Sequence, residues 1–329
     1  MYNKKVMDYL RSRGHEVHLH VFDKNICTPG SYILNLRKKI NPGSVCLIDS
    51  LLLYMIKDEV RALRQDMYLI GMMHLSQSID LENINALNNP VLKDEIEAMN
   101  TCHMIIASSF FLKKFYDNQG MNKTPVHAIP PGVDVYQVKK KYNTIPMKII
   151  NVGNILPAKG LHLLIDALSR LKTVFQLEII GDITVNSDYY KLLMEKIIAN
   201  KLETSVHFNG IQDFKVINNR LVEADFFVFP SLYETFGMAL AEAIKVGLPV
   251  ICSKLPALEE HVKEEIALFF EPGNMNDLTG KLDRITRERA LYPELVKEIK
   301  SCQFPYKTWK ETGQDFYATI INAYRDKWK

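Results

Sequence analysis

The residues from Ala224 to Cys252 restrict this chain more than any other stretch. Four apolar residues, Phe226 to Phe229, are ended by Pro230, which has no N–H to continue a strand ladder. A polar loop follows, then Phe236 and Gly237, then a run of helical spacing from Met238 to Lys245 that Gly247 stops. Pro249 leads into a second apolar run ending at Cys252. Strand, loop, helix, strand implies parallel strands with a ligand crevice at their carboxyl ends. Two acids fall inside this unit. Glu234 lies in the loop, and Glu242 lies in the helix among Ala239, Leu240, Ala241, Ala243 and Ile244. A carboxylate with such neighbours needs a partner. Sugar hydroxyls would supply one, and the free N–H groups at the helix start suit a phosphate. The plain alternative for Glu242 is an acid in an early helix turn, favoured by the helix dipole.

With Pro230-Ser-x-x-Glu-Thr-Phe-Gly in front and Gly247-x-Pro-Val behind, the stretch resembles the Glu-x7-Glu motif of the retaining GT-B glycosyltransferases, family 4. The resemblance implies an α/β fold of two Rossmann-like domains facing a cleft. A nucleotide-sugar would be held mainly by the C-terminal domain. It also implies roles for residues elsewhere. Gly153-Asn154-Ile-Leu-Pro-Ala-Lys159-Gly160 is similar to the family's Gly-Arg-x-x-x-x-Lys-Gly loop, whose two cations grip the donor diphosphate. Lys159 matches the lysine, and Asn154 stands where the arginine is expected. Gly181-Asp182 is similar to the family's Gly-Asp-Gly turn. Phe236, Gly237 and Met238 would offer N–H groups to the diphosphate, Glu234 would hold donor-sugar hydroxyls, and Glu242 the ribose. His74, at the end of an apolar run from Tyr68 to Met73, matches a histidine that the family places beside the donor sugar. The residues after it, Leu75 to Glu82, are similar to a branch reading His-His-Pro-Leu-x-x-Glu, without its proline. Catalytic roles are thus expected for His74, Lys159 and Glu234. Donor-binding roles are expected for Gly153, Asn154, Gly181, Asp182, Phe236, Gly237, Met238 and Glu242.

Composition agrees with a folded two-domain protein. There are 329 residues, 47% apolar and 24% charged, with a net charge of +3 that by itself does not suggest nucleic acid as a partner. The five cysteines, at positions 27, 46, 102, 252 and 302, include no Cys-x-x-Cys pair, which favours reduced thiols and a cytoplasmic setting over a disulfide framework or zinc site. No apolar run reaches membrane-spanning length. Phe110 to Tyr116 combines aromatics with Lys113 and Lys114. This helix could touch an anionic membrane surface, at the inner membrane face, or could be an ordinary amphipathic helix with solvated lysines.

The expected domains are 1–143 on the acceptor side, 144–303 for the nucleotide-sugar, and 304–329 as a helix returning to the first domain. Pro131-Gly-Val-Asp134 is similar to the family's interdomain hinge, and Lys139 to Lys141 suit an exposed linker. The first domain is expected to depart from the family. Met1 falls at or inside what is usually the second element, a helix ending in Gly-His-Glu-Val, so either the start is truncated or misassigned or this domain lacks the usual first strand and glycine turn. Val17, Leu19 and Val21 alternate with polar residues and predict a strand. Asp49 follows another strand, where it would either face a crevice or cap the next helix.

The implied activity is transfer of a hexose-type sugar from a UDP- or GDP-sugar to a glycan, lipid or small-molecule acceptor, with retention of configuration. No cofactor or metal is expected to be required, since no Asp-x-Asp triplet occurs. The competing reading is a catalytically impaired relative that binds a nucleotide-sugar or a protein partner. A dehydrogenase is disfavoured because no Gly-x-Gly-x-x-Gly turn is present.

Overall fold

The computed structural model describes residues 1–22, 28–74, 90–118, 123–134, 146–288, 290–302 and 305–327. The chain divides into two compact units, Met1–Gly132 with Lys307–Lys329, and Val133–Tyr306. The expected boundaries at 143/144 and 303/304 lie outside the described residues, as do Leu75 to Glu82 and Lys139 to Lys141.

The first unit contains α1 (Tyr2–Ser12), α2 (Pro29–Arg37), β1 (Val45–Asp49), α3 (Ser50–Met55), α4 (Lys57–Asp66), β2 (Tyr68–Met73), α5 (Pro90–Asn100), β3 (Met104–Ala107), α6 (Phe110–Asn118) and β4 (Val126–Ala128). Its four strands pair in chain order, all parallel. β2 is buried along its whole length, as its unbroken apolar sequence requires of a central parallel strand. The strand expected at Val17–Val21 does not form. Leu19 is 62% and Val21 is 73% exposed, and the segment pairs with no other among the described residues. Alternation marks a strand only where one face finds a core and one edge finds a neighbour, and among the described residues this segment pairs with no strand. Asp49 settles as a cap, its Oδ1 accepting the Leu51 N–H of α3 at 3.0 Å. In α6, Leu112 and Tyr116 are buried, Phe110 is exposed, and Lys113 pairs with Asp117 at 2.6 Å.

The second unit contains β5 (Met147–Val152), a single 3₁₀ turn (Pro157–Lys159), α7 (Leu161–Leu168), β6 (Phe175–Ile180), α8 (Ser187–Ala199), β7 (Val206–Phe208), α9 (Phe214–Glu223), β8 (Phe226–Phe229), α10 (Met238–Lys245), β9 (Val250–Ser253), α11 (Pro256–Glu259), β10 (Ala267–Phe270), α12 (Met275–Arg287) and α13 (Leu291–Ser301). The strands run β10-β9-β8-β5-β6-β7, all parallel. Strand order therefore reverses between β5 and β8, and a doubly wound sheet opens its crevice at that switch point. Both faces are covered. Phe226 and Val228 enter one apolar cluster, Phe227 and Phe229 the other. β5 and β8 share only the register pairs Ile149–Phe226 and Ile150–Phe227. Beyond them the strands part, and the buried Asn151 side chain donates to the Val228 carbonyl at 2.8 Å, satisfying what the ladder leaves open.

The last helix, α14 (Trp309–Lys327), belongs to the first unit and packs on α1. It starts with a capping box. The Thr308 hydroxyl accepts the Glu311 N–H at 3.2 Å, and the Glu311 carboxylate accepts the Thr308 N–H at 2.7 Å.

Candidate active site

Two loops leave the switch point of the second unit, one from β5 and one from β8. They are locked together. The Leu232 N–H donates to the Ala158 carbonyl at 2.8 Å. Gly160 has φ +63°, and a Cβ there would stand 2.0 Å from the Pro230 carbonyl oxygen, so only glycine permits this approach. The lock brings Lys159 and Glu234 together, with Nζ to Oε1 at 2.5 Å. The same Oε1 accepts the Ser231 hydroxyl at 3.0 Å. The Glu234 side chain is only 10% exposed. Lys159 also lies over the Phe229 ring, 5.6 Å from its centroid. Gly153 leaves room beside the Lys159 stem, and Gly181 packs on the Gly153 carbonyl so closely that a Cβ would sit 1.8 Å from it.

The two helix starts at the switch point differ. At α7 the Tyr189 hydroxyl accepts the His162 N–H at 3.2 Å and donates to His162 Nδ1 at 2.8 Å, so a neutral group already fills that tip. Burial and nearby Lys196 hold His162 below its usual value, which keeps the ring neutral and its Nδ1 an acceptor. At α10 the N-cap is Gly237, at φ +78° and with no side chain to offer. The Gly237 carbonyl is taken by the Ala241 N–H, and the N–H groups before it have no acceptor among the described residues, an arrangement that suits an anion.

Glu242 sits in the second turn of α10, buried, with no hydrogen-bond or ion-pair partner among the described residues. Desolvation raises it to about 7. The dipole alternative does not account for this, because the group is past the first turn and is driven toward neutrality. A buried carboxylate without a partner fits a ligand that brings hydroxyl donors.

Other expected residues take different positions. Asn154 is exposed. Asp182 accepts from the Thr184 N–H at 2.8 Å and hydroxyl at 2.6 Å, and those two hydrogen bonds hold its carboxyl below the usual range. The Phe236 side chain turns inward, buried against Val133 and Ala241, so only its backbone remains for a ligand. His74 belongs to the first unit, just past the carboxyl end of β2. Its Nε2 lies 2.7 Å from Asn3 Oδ1 and its ring 4.9 Å from the Tyr2 ring. Burial holds it below its usual value, partly offset by Asp49. Sequence reasoning did not single out Asn151, Tyr189 or His261. Asn151, a polar residue inside an apolar strand, was the one visible signal among them.

A family model described as "Glycosyl transferases group 1" matches residues 134–301, about half of the chain. The chain belongs to the glycosyl transferases group 1 family. Among curated relatives, it is 29% identical over 165 residues to the MMP alpha-(1->4)-mannosyltransferase of Mycolicibacterium hassiacum, a match covering 49% of this chain and 39% of that one. It is 25% identical over 239 residues to the lipopolysaccharide 1,2-N-acetylglucosaminetransferase of Salmonella typhimurium, covering 66% and 62%. The chain spans about two fifths to three fifths of the length of the curated relatives it matches. Among solved structures, sucrose-phosphate synthase from Thermosynechococcus elongatus superposes with a TM-score of 0.76 at 17% identity, covering 98% of this chain and 93% of that one. Anabaena HepE in complex with UDP-glucose gives 0.73 at 17% identity, covering 96% and 88%. These structural likenesses carry the GT-B fold: α/β, with parallel sheets in two domains. Among the described residues, no helix is long and apolar enough to cross a membrane, and no group of three His, Cys, Asp or Glu is placed to hold a metal ion.

Proposed function

We propose that this chain is a retaining glycosyltransferase that moves a hexose-type sugar from a nucleoside-diphosphate sugar to an acceptor hydroxyl. The observation that carries the reading is the grouping in the second unit of a partnerless buried carboxylate, Glu242, with the Lys159–Glu234 pair and the uncapped start of α10. The ligand such a grouping suits has two negative phosphates and two sets of hydroxyls. The HepE structure is a complex with UDP-glucose, a ligand with that chemistry.

In the proposed complex the ammonium of Lys159 turns to the diphosphate, together with the α10 N–H groups near Gly237 and Met238. Glu234, released from Lys159, accepts hydroxyls of the sugar, and Glu242 accepts those of the ribose. The bond from the anomeric carbon to the phosphate oxygen breaks as the acceptor oxygen bonds to the same face. The acceptor proton passes to the departing phosphate oxygen. Lys159 and the amides stabilise the charge that grows there, which is where such donors act most strongly. His74 keeps the sugar-side role that the family resemblance implies. The base can be uracil or guanine. The acceptor can be a glycan, a lipid or a small molecule.

A second reading, a nucleotide-sugar binder without turnover, is favoured by one observation. Asn154 supplies no cation and the start of α7 is taken by Tyr189, so neither adds to the charge of Lys159. The test is a thermal-shift screen of nucleoside diphosphates followed by donor hydrolysis. Stabilisation by UDP or GDP with hydrolysis lost in Lys159→Ala and Glu234→Ala supports the transferase. Binding without turnover supports the second reading, and no binding of any nucleoside diphosphate rejects both.

A further inference from the structure

His261 stands in the turn after α11 and is buried. Its ring stacks on Phe236, with centroids 4.6 Å apart and planes at 25°. Its Nε2 lies 2.6 Å from the Phe236 carbonyl oxygen, and its Nδ1 lies 2.8 Å from the Tyr306 hydroxyl. A carbonyl can only accept, so Nε2 carries the hydrogen and Nδ1 accepts from Tyr306. Burial lowers His261 to about 4, and a ring that is neutral at pH 7 has one N–H and one acceptor, as this arrangement demands.

The held carbonyl belongs to the peptide that joins Phe236 to Gly237. A trans peptide is planar, with its N–H opposed to its C=O. Fixing the Phe236 carbonyl therefore fixes the direction of the Gly237 N–H, at the N-cap of α10. The next helix contributes as well. Leu258 of α11 fills the space beside Gly237, where a Cβ would meet its Cδ2 at 2.6 Å. The Phe236 ring also shares a buried cluster with Val133 and Ala241.

We propose that His261, set by Tyr306, is a positioning residue that aims the backbone N–H groups at the start of α10 toward the diphosphate of the donor. This rests on the donor reading above. His261 would touch no substrate. It would act only by keeping one peptide in a single orientation, so its loss should weaken phosphate recognition and leave nucleoside recognition intact.

The experiment compares wild type, His261→Leu and His261→Gln by calorimetric titration with UDP, GDP, uridine and guanosine. Gln can place an amide N–H near the Nε2 position, whereas Leu cannot. His261→Leu should bind the preferred diphosphate about tenfold more weakly and its nucleoside as wild type does, and His261→Gln should restore most of the loss. Where the corresponding nucleotide-sugar turns over, His261→Leu should lower kcat more than it raises KM. Should His261→Leu fail to fold, Tyr306→Phe, which removes only the hydroxyl that sets the ring, serves in its place with a smaller loss in the same direction. Equal weakening of diphosphate and nucleoside, or no weakening, overturns the assignment while the donor reading stands. A wild-type protein that binds no nucleoside diphosphate overturns the donor reading itself.

Discussion

Glu242 permits a quantitative test that needs no ligand. Burial raises it from a usual 4.5 to about 7. Between those values the unfolded chain has released the proton and the folded chain has kept it, so stability falls as pH rises. The loss is absent well below pH 4.5 and complete above pH 7. Its size is the shift of two and a half pH units, about 3 kcal/mol at 1.36 kcal/mol per unit. Replacing Glu242 by Gln keeps the shape and removes the charge. The variant should therefore be more stable than wild type by about 3 kcal/mol at pH 8 and by less than about 1 kcal/mol at pH 5. For a unit of this size that corresponds to a Tm gap of roughly 6–12 °C at pH 8. Thermal unfolding of both proteins across pH 5 to 8 measures it. The same variant should bind a nucleoside diphosphate more weakly, because an ionised acceptor for ribose hydroxyls is gone. A Tm gap that does not widen with pH would refute the claim that a partnerless carboxylate is held there, and with it the main support for the ribose site.

The remaining predictions concern the loops and the caps. Lys159→Met should weaken nucleoside-diphosphate binding at least tenfold in calorimetry and free Glu234 from its 2.5 Å ion pair. Gly160→Ala, at φ +63° and against the Pro230 carbonyl, should destabilise the second unit by more than about 1 kcal/mol in urea unfolding, because strain and clash act together. Glu311→Ala should remove half of the capping box of α14 and lower the stability of the first unit by about 1 kcal/mol in the same assay.

Much of the second unit was legible in the sequence because its signals are local. Phe226 to Phe229 ends at a proline, Gly237 and Gly247 bracket α10, and the two acids share the same short stretch. Periodicity and turn chemistry act over such distances, so they can be read without coordinates. Val17 to Val21 shows the limit of that method, since alternation says nothing about whether a neighbouring strand is present. α4 was missed for the opposite reason. Its sequence is largely polar, and its place comes from Val60 and Leu63 finding the core of the first unit. Within the site, the sequence pointed to Lys159, Glu234 and Glu242 separately, but the pairing of Lys159 with Glu234 depends on Gly160 meeting Pro230 across 70 positions. His261 was invisible because its partners, Phe236 and Tyr306, are 25 and 45 residues away. Asn154 and Phe236 carry a different lesson. Matching a motif position does not say whether a side chain faces solvent, ligand or core.

Val133 and Tyr306 are the first and last residues of the second unit, and both pack on the cluster formed with Phe236 and Ala241. Lys245 also grips the Val133 carbonyl. The unit is thus a cassette whose entry and exit are stitched at one spot. Two neighbouring cuts would free it whole. Evolution could trade such a cassette between relatives as one piece, leaving the first sheet and α14 in place.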